Sequence, residues 1–292
     1  MSPDPGLLDL IIEPLRHGFM LRALAVGTFI SAVCAVLSCF VVLKGWSLVG
    51  DALSHAVLPG IVLAYILGLP MGLGALASGM ACVALAGAAR PYSRVKPDAL
   101  LGIAFSGFLA VGLILLVATP SDIHFLHVLF GNLLGIEPRA IVEALAAGTI
   151  TLAAVLVLRK DLVLLCFDPA QARVIGLSPG RLELILLVLV ALTVVAALQA
   201  VGVVLVVAML VTPGCIGFLL AERFDRMMLI AVGSAVLAAL AGTLASFWLD
   251  GATGASIVLV QALLFVLAFA AARFRRGSGL HAGNGQETAR PA

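Results

Sequence analysis

Long apolar runs separated by short polar breaks dominate this chain. Nine runs, near residues 19–43, 46–68, 70–89, 98–118, 139–158, 182–199, 202–220, 228–249 and 256–272, are each long enough to cross, or nearly cross, about 30 Å of hydrocarbon as a helix. Only Ala200-Val201 separates the sixth from the seventh, so a broken or re-entrant segment there would leave eight full spans. The pattern predicts an all-α polytopic membrane protein with eight or nine transmembrane helices. Three parts are expected: an N-terminal segment 1–18, with residues 6–17 as a short helix on the membrane surface; a transmembrane domain over 19–276; and a disordered tail, GSGLHAGNGQETARPA, over 277–292.

Composition excludes the soluble alternatives. The 292 residues are 63% hydrophobic and 11% charged, with a mean hydropathy of +1.22, more apolar surface than a soluble domain of this size could hide. Net charge is +2 and no long basic run is present, so nucleic acid is not an expected partner. Five cysteines (Cys34, Cys39, Cys82, Cys166, Cys215) are scattered through apolar segments without CxxC spacing and read as small packing residues. Asp4, Asp9 and Glu13 precede the first long apolar run, the wrong charge for a cleaved signal peptide.

The basic residues set an expected orientation. If segment 90–97 (RPYSRVKP) faces the cytoplasm, 14 of the 17 Lys and Arg lie inside and only Arg16, Arg22 and Arg139 lie outside. Nine spans then put the N-terminus outside and the C-terminus in the cytoplasm. Small-xxx-small pairs such as Gly68/Gly72 permit close helix approach, and Pro59, Pro70, Pro120 and Pro213 mark expected kinks or ends.

Inside the second run stand Asp51 and His55, four residues apart and so on one helix face. A carboxylate at mid-membrane costs about 2.5–3.5 kcal/mol on insertion scales, so its presence asks for a role. Counted from Lys44, Asp51 would lie about 10 Å deep and His55 about 16 Å deep. A carboxylate oxygen beside an imidazole nitrogen is half of a site for a divalent transition metal. The alternative is a helix-capping Asp51 and a His55 bonded to a neighbouring helix. Pro59-Gly60 follows at once, where the helix is expected to unwind and expose carbonyls to a pathway. Ser54 either adds an oxygen to the pair or, as a lone membrane serine usually does, bonds back to its own helix.

Two further segments carry polar chemistry. Asp122, His124 and His127, between the fourth and fifth runs, form a possible outer entrance for a cation, or an ordinary solvated loop. The inner connection over about 160–181 contains Asp168 at an N-cap, Pro169 at the first helical position and Gly176 at the C-terminal cap of a helix of about two turns. Such a capped helix suits docking of a soluble partner. Gly176-Leu177-Ser178-Pro179-Gly180 fits GxSxG but lacks the strand–turn–helix context of a hydrolase. Neither HExxH nor a P-loop occurs, so the chain is expected to be no enzyme, and any ATP-driven transport needs a separate engine.

The run Lys44-Gly45-Trp46-Ser47-Leu48-Val49-Gly50-Asp51-Ala52-Leu53-Ser54-His55-Ala56-Val57-Leu58-Pro59-Gly60 resembles the second-helix motif of the manganese/zinc/iron permease family of ABC importers. The resemblance extends to Leu129-Phe130-Gly131-Asn132, Phe167-Asp168-Pro169 with Arg173 and Gly176, Gly202 through Pro213-Gly214, and Leu249-Asp250-Gly251-Ala252-Thr253-Gly254, covering roughly residues 10–275. It implies the ABC metal-importer permease fold in a bacterial cytoplasmic membrane. A second permease copy or paralogue, a cytoplasmic ATP-binding-cassette ATPase dimer and an extracytoplasmic metal-binding receptor are the implied partners. It also places Asp51 and His55 on the metal pathway, and Asp168, Ala170, Arg173 and Gly176 at the ATPase groove.

No tightly bound cofactor is implied. The cargo is expected to be Mn(II), with Fe(II) next, since Lys44-Gly45-Trp46 and Thr212-Pro213-Gly214 look closest to the manganese or iron branch. Cys215 departs from the Pro-Ala-Ala of zinc permeases and is not read as a ligand. The rival readings are a zinc permease of the same fold and a secondary metal transporter that needs no ATPase.

Overall fold

The computed structural model describes residues 13–14, 16–89, 92–119, 135, 138–249 and 251–283. Among them the chain forms helices and no strand: α1 (Gly18–Leu43), α2 (Val49–Ile66), α3 (Met71–Ala89), α4 (Pro97–Ala118), α5 (Pro138–Val157), α6 (Arg159–Phe167), α7 (Pro169–Val174), α8 (Pro179–Val201), α9 (Val203–Leu220), α10 (Phe224–Leu249) and α11 (Thr253–Gly283). Eight of these are long and apolar enough to cross a membrane, and α9 adds a shorter apolar stretch, Leu205–Leu220. The expected count of eight or nine thus holds among the described residues, with the ambiguity where the sixth and seventh runs meet.

That junction lies slightly later than expected. Helix α8 runs through Ala200-Val201, and the break comes at Gly202, whose φ of 87° is left-handed and open to glycine at little cost. One other expectation about breaks, unwinding at Pro59-Gly60, is corrected. Pro59-Gly60 does not unwind α2, which stays helical from Val49 to Ile66 with Pro59 inside, and α9 likewise runs through Pro213. A proline in a membrane helix is tolerated when neighbouring helices re-satisfy the freed backbone groups.

The connection over 159–181 is also more structured than a loop. Arg159–Phe167 is helical, turning off α5 at Leu158 and burying Leu162 and Leu165. Their i, i+3 spacing gives this short helix one apolar face to lay on the bundle. At the other end, α11 continues to Gly283, so the expected disordered tail begins as helix. The surface helix expected over 6–17 falls almost entirely outside the described residues.

Helices α1 and α2 form the interior: 72% of the most apolar window of each is buried, against 6% for α4. Helix α1 packs against α9, α10 and α5, and α2 packs against α3 and α4. A core around Leu37, Phe40, Leu53, Leu186, Met209, Leu210 and Ile257 joins the first group, and a smaller one around Val57, Ile61, Val62 and Leu198 lies under the second. Helix α8 touches both, presenting Leu182, Leu186, Leu189 and Val190 at helical spacing.

Small residues set the helix separations. A β-carbon on Gly60 would overlap the Gly74 carbonyl, so α2 and α3 meet backbone to backbone, and Ser78 adds a hydrogen bond to Ala56 O at 2.6 Å. Gly68, expected in such a contact, instead occupies the α2–α3 turn with φ 67° and open space around it.

Candidate functional site

Asp51 falls in the first turn of α2, where the exposed amides of a helix start favour negative charge. One turn on, His55 Nε2 stands 3.4 Å from Asp51 Oδ1. Residues 44–48 form a turn, not the start of the helix, so along its axis Asp51 lies only about 3 Å and His55 about 9 Å from its first residue.

Neither side chain is sealed into the protein. His55 is 29% exposed and Asp51 33%, while Ala52, Leu53, Ser54 and Ala56 beside them are buried. Phe105 of α4 stacks on the His55 ring at 5.9 Å with an interplanar angle of 23°, which fixes the ring plane. Ser54 donates to Gly50 O at 2.8 Å and so is occupied within its own helix, as its sequence context predicts. The pair therefore offers one carboxylate and one imidazole from a face that this chain leaves open. No group of three or more His, Cys, Asp and Glu able to hold a metal occurs among the described residues, so one chain presents an incomplete coordination set.

Asp122, His124 and His127 lie outside the described residues. Pro59 and Gly60 sit on α2 beyond His55, under α4 and against α3: a β-carbon on Gly112 would meet the Pro59 ring, and one on Gly60 the α3 backbone. They serve close packing.

Asp168, Ala170, Arg173 and Gly176 all belong to one small unit. Asp168 caps α7, its Oδ1 accepting from Ala170 N–H at 3.0 Å and Gln171 N–H at 2.9 Å, with Pro169 in the first turn. Gly176, at φ 86°, closes it. Leu177 N–H reaches Ala172 O and Gly176 N–H reaches Arg173 O, the double bond pattern of a Schellman cap. Ala172 is buried, whereas Phe167, Val174 and Ile175 project into the open, Val174 at 84% exposure. Phe167 belongs to the motif already noted, whereas Val174 and Ile175 add two large apolar side chains around a capped polar segment, itself a docking signal.

Lys44, which opens the motif, donates to Glu183 Oε1 at 2.7 Å and lies 5.8 Å over the Trp46 ring. Glu183 was invisible as a site residue because 139 positions separate it from its partner. Arg159, at the head of α6, pairs with Asp225 of α10 and lies over Phe224.

A family model described as the ABC 3 transport family matches residues 16–272. The chain belongs to that family. Among its relatives, the manganese transport system membrane protein MntB of Synechocystis is 49% identical over 258 residues, 88% of this chain and 84% of that protein. The chelated iron transport system membrane protein YfeD of Yersinia pestis is 52% identical over 262 residues, 90% of this chain and 88% of that one. The solved structure of PsaBC from Streptococcus pneumoniae in complex with Fab superposes with a TM-score of 0.82 at 32% identity, covering 90% of this chain and 95% of the other. As a member of the family, the chain is an integral membrane protein and a transport permease subunit.

Proposed function

We propose that this chain is the permease subunit of an ABC importer that carries Mn(II), with Fe(II) as the alternative cargo, across a bacterial cytoplasmic membrane. The reading rests on one observation above the rest: a carboxylate and an imidazole 3.4 Å apart on the open face of α2, in a chain of this family. The manganese and iron systems named for its relatives support this choice of cargo over zinc.

Two copies of the permease, or this chain and a paralogue, would bring two such pairs to one axis. Two carboxylates and two imidazoles replace water around a divalent ion without the grip of thiolates, so the ion can leave again. An extracytoplasmic receptor would deliver the ion, with Asp122, His124 and His127 as the outer entrance. The N-terminus would lie outside and the basic end of the bundle in the cytoplasm. There the capped α7, with Arg173 exposed beside Val174 and Ile175, supplies a surface for a partner ATPase. Closure of an ATPase dimer would draw two such segments together and switch access between two states of the bundle. An ATPase-independent transporter would leave this exposed, doubly capped unit without a use.

The deciding experiment is Mn(II) uptake into proteoliposomes carrying the whole complex. Uptake should require ATP and be lost in Asp51→Ala and His55→Ala while assembly persists. Wild-type uptake by either variant would remove the pair from the pathway.

A further inference from the structure

We propose that the Lys44–Glu183 ion pair is the link through which movement of the α6–α7 segment reaches the helix bearing Asp51 and His55; both are positioning residues for transport. The inference rests on the transport reading above and adds the route by which one end of the chain acts on the other.

The α6–α7 segment is held at two places, one at its head and one past its tail. At its head Arg159 pairs with Asp225 and covers Phe224, tying it to the first turn of α10, which packs with α1, α9 and α11. Past its tail the chain enters α8 at Pro179, and Glu183 there reaches Lys44. Leu162 and Leu165 on α6 are buried in the main core, and the caps of α7 make the short helix that follows a self-contained unit.

Lys44 is well placed to pass such a displacement on. It ends α1, and the five residues 44–48 that join it to α2 form a hydrogen-bonded turn. Lys44 N–H reaches Phe40 O, Trp46 N–H reaches Val41 O, and Val49 N–H reaches Trp46 O. Gly45, at φ 68°, permits the tight reversal. A pull on Lys44 is thus carried to the first turn of α2, where Asp51 stands, with little slack between.

The lysine end of the pair is shielded, whereas Glu183 is 44% exposed. The Lys44 side chain is 11% exposed, so removing Glu183 would strand a poorly hydrated charge. A shift of α7 that moves the first turn of α8 is passed by Glu183 and Lys44 to the turn that starts α2.

The test uses the complete complex in proteoliposomes, measuring Mn(II) uptake and ATP hydrolysis together for Lys44→Met, Glu183→Gln and the exchanged pair Lys44→Glu/Glu183→Lys. The single variants should assemble and hydrolyse ATP, while ions moved per ATP fall about tenfold, within the usual span of coupling free energies. The exchanged pair should recover most of that ratio. An unchanged ratio in the single variants, loss of assembly or of ATP hydrolysis in them, or no recovery by the exchange would each overturn the link. Asp51→Ala in the same vesicles separates the two readings. Normal uptake there would sink the pathway, whereas the ratio in the Lys44 and Glu183 variants reports on the link alone.

Discussion

Gly60 and Gly74 touch through their backbones, each standing where a β-carbon on the other would collide with its carbonyl oxygen. This contact fixes the spacing of α2 against α3 and so the wall behind the Asp51–His55 face. Gly60→Val or Gly74→Val should therefore lower the thermal stability of the detergent-solubilised protein by an overpacking penalty of about 1–3 kcal/mol. Gly87→Ala, on α3 with open space around its β-position, should be neutral or slightly stabilising. Equal melting temperatures for all three variants would show that the backbone contact is not tight.

Asp51 and His55 make a prediction about binding as well as uptake. If two copies each supply one carboxylate and one imidazole, Asp51→Asn should weaken Mn(II) binding to the assembled permease while keeping its shape. His55→Ala should do the same by removing a nitrogen donor. Each loss should be at least about tenfold in dissociation constant, the 1.4 kcal/mol scale of one good ligand contact. Isothermal titration on the purified permease measures it directly, and an unaltered constant would leave the pair a structural feature only.

Much of this was legible in the chain, for identifiable reasons. The apolar runs announced the spans, because a bilayer-crossing helix must satisfy its own backbone and be apolar for its whole length. The cap signals at Asp168, Pro169 and Gly176 are local, and the helix they delimit is Pro169–Val174. Pro59 misled because a proline predicts a break only where no neighbour supports it; here α3 and α4 pack closely on both sides. Helix α6 went unread since its nine residues, Arg159–Phe167, begin with three charges and follow α5 almost without a gap. Glu183 and Phe105 could not be read at all. Their relation to Lys44 and His55 exists only after α8 and α4 have folded back onto α2, and no spacing rule reaches that far.

The α7 cap gives a prediction confined to the proposed docking segment. Asp168→Ala removes the acceptor of two backbone N–H groups and should cost about 1 kcal/mol in local helix stability. Asp168→Asn, which caps nearly as well, should behave like the wild type. Read as affinity of the permease for its ATPase, the alanine variant should bind several-fold more weakly than the asparagine one. Indistinguishable affinities would show that the cap does not shape the docking surface.

Cys166 on α6 offers a chemical probe of the same region. Burial pushes its thiol up to about 11, the nearby Lys44 charge acting in the lowering direction and Glu183 in the raising one. Only the thiolate reacts, so alkylation should be slow at neutral pH and quicken steeply as pH rises toward that value. Lys44→Met removes the lowering influence and should slow it further, while Glu183→Gln should speed it. Mass spectrometry of maleimide-treated protein over a pH series tests this, and fast labelling at pH 7 would show that α6 does not lie closed on the bundle.

Ser38 supports the proline-bearing helix α9 from within α1. Its hydroxyl accepts from Gly214 N–H at 2.8 Å and stands 3.2 Å from Val211 O, to which it donates. One side chain thereby serves both a donor and an acceptor beside Pro213, whose missing N–H interrupts the helical ladder. Ser38→Ala should leave a buried Gly214 N–H without this partner, at about 1–3 kcal/mol. Gly214→Ala should cost more, because its β-carbon would press on the Ser38 backbone, which is part of α1 and cannot swing aside as a side chain could. Since both changes break the same junction, the double variant should lose less than the sum of the two. Thermal unfolding of the three variants in detergent measures this, and strictly additive losses would mean that Ser38 and Gly214 do not act together.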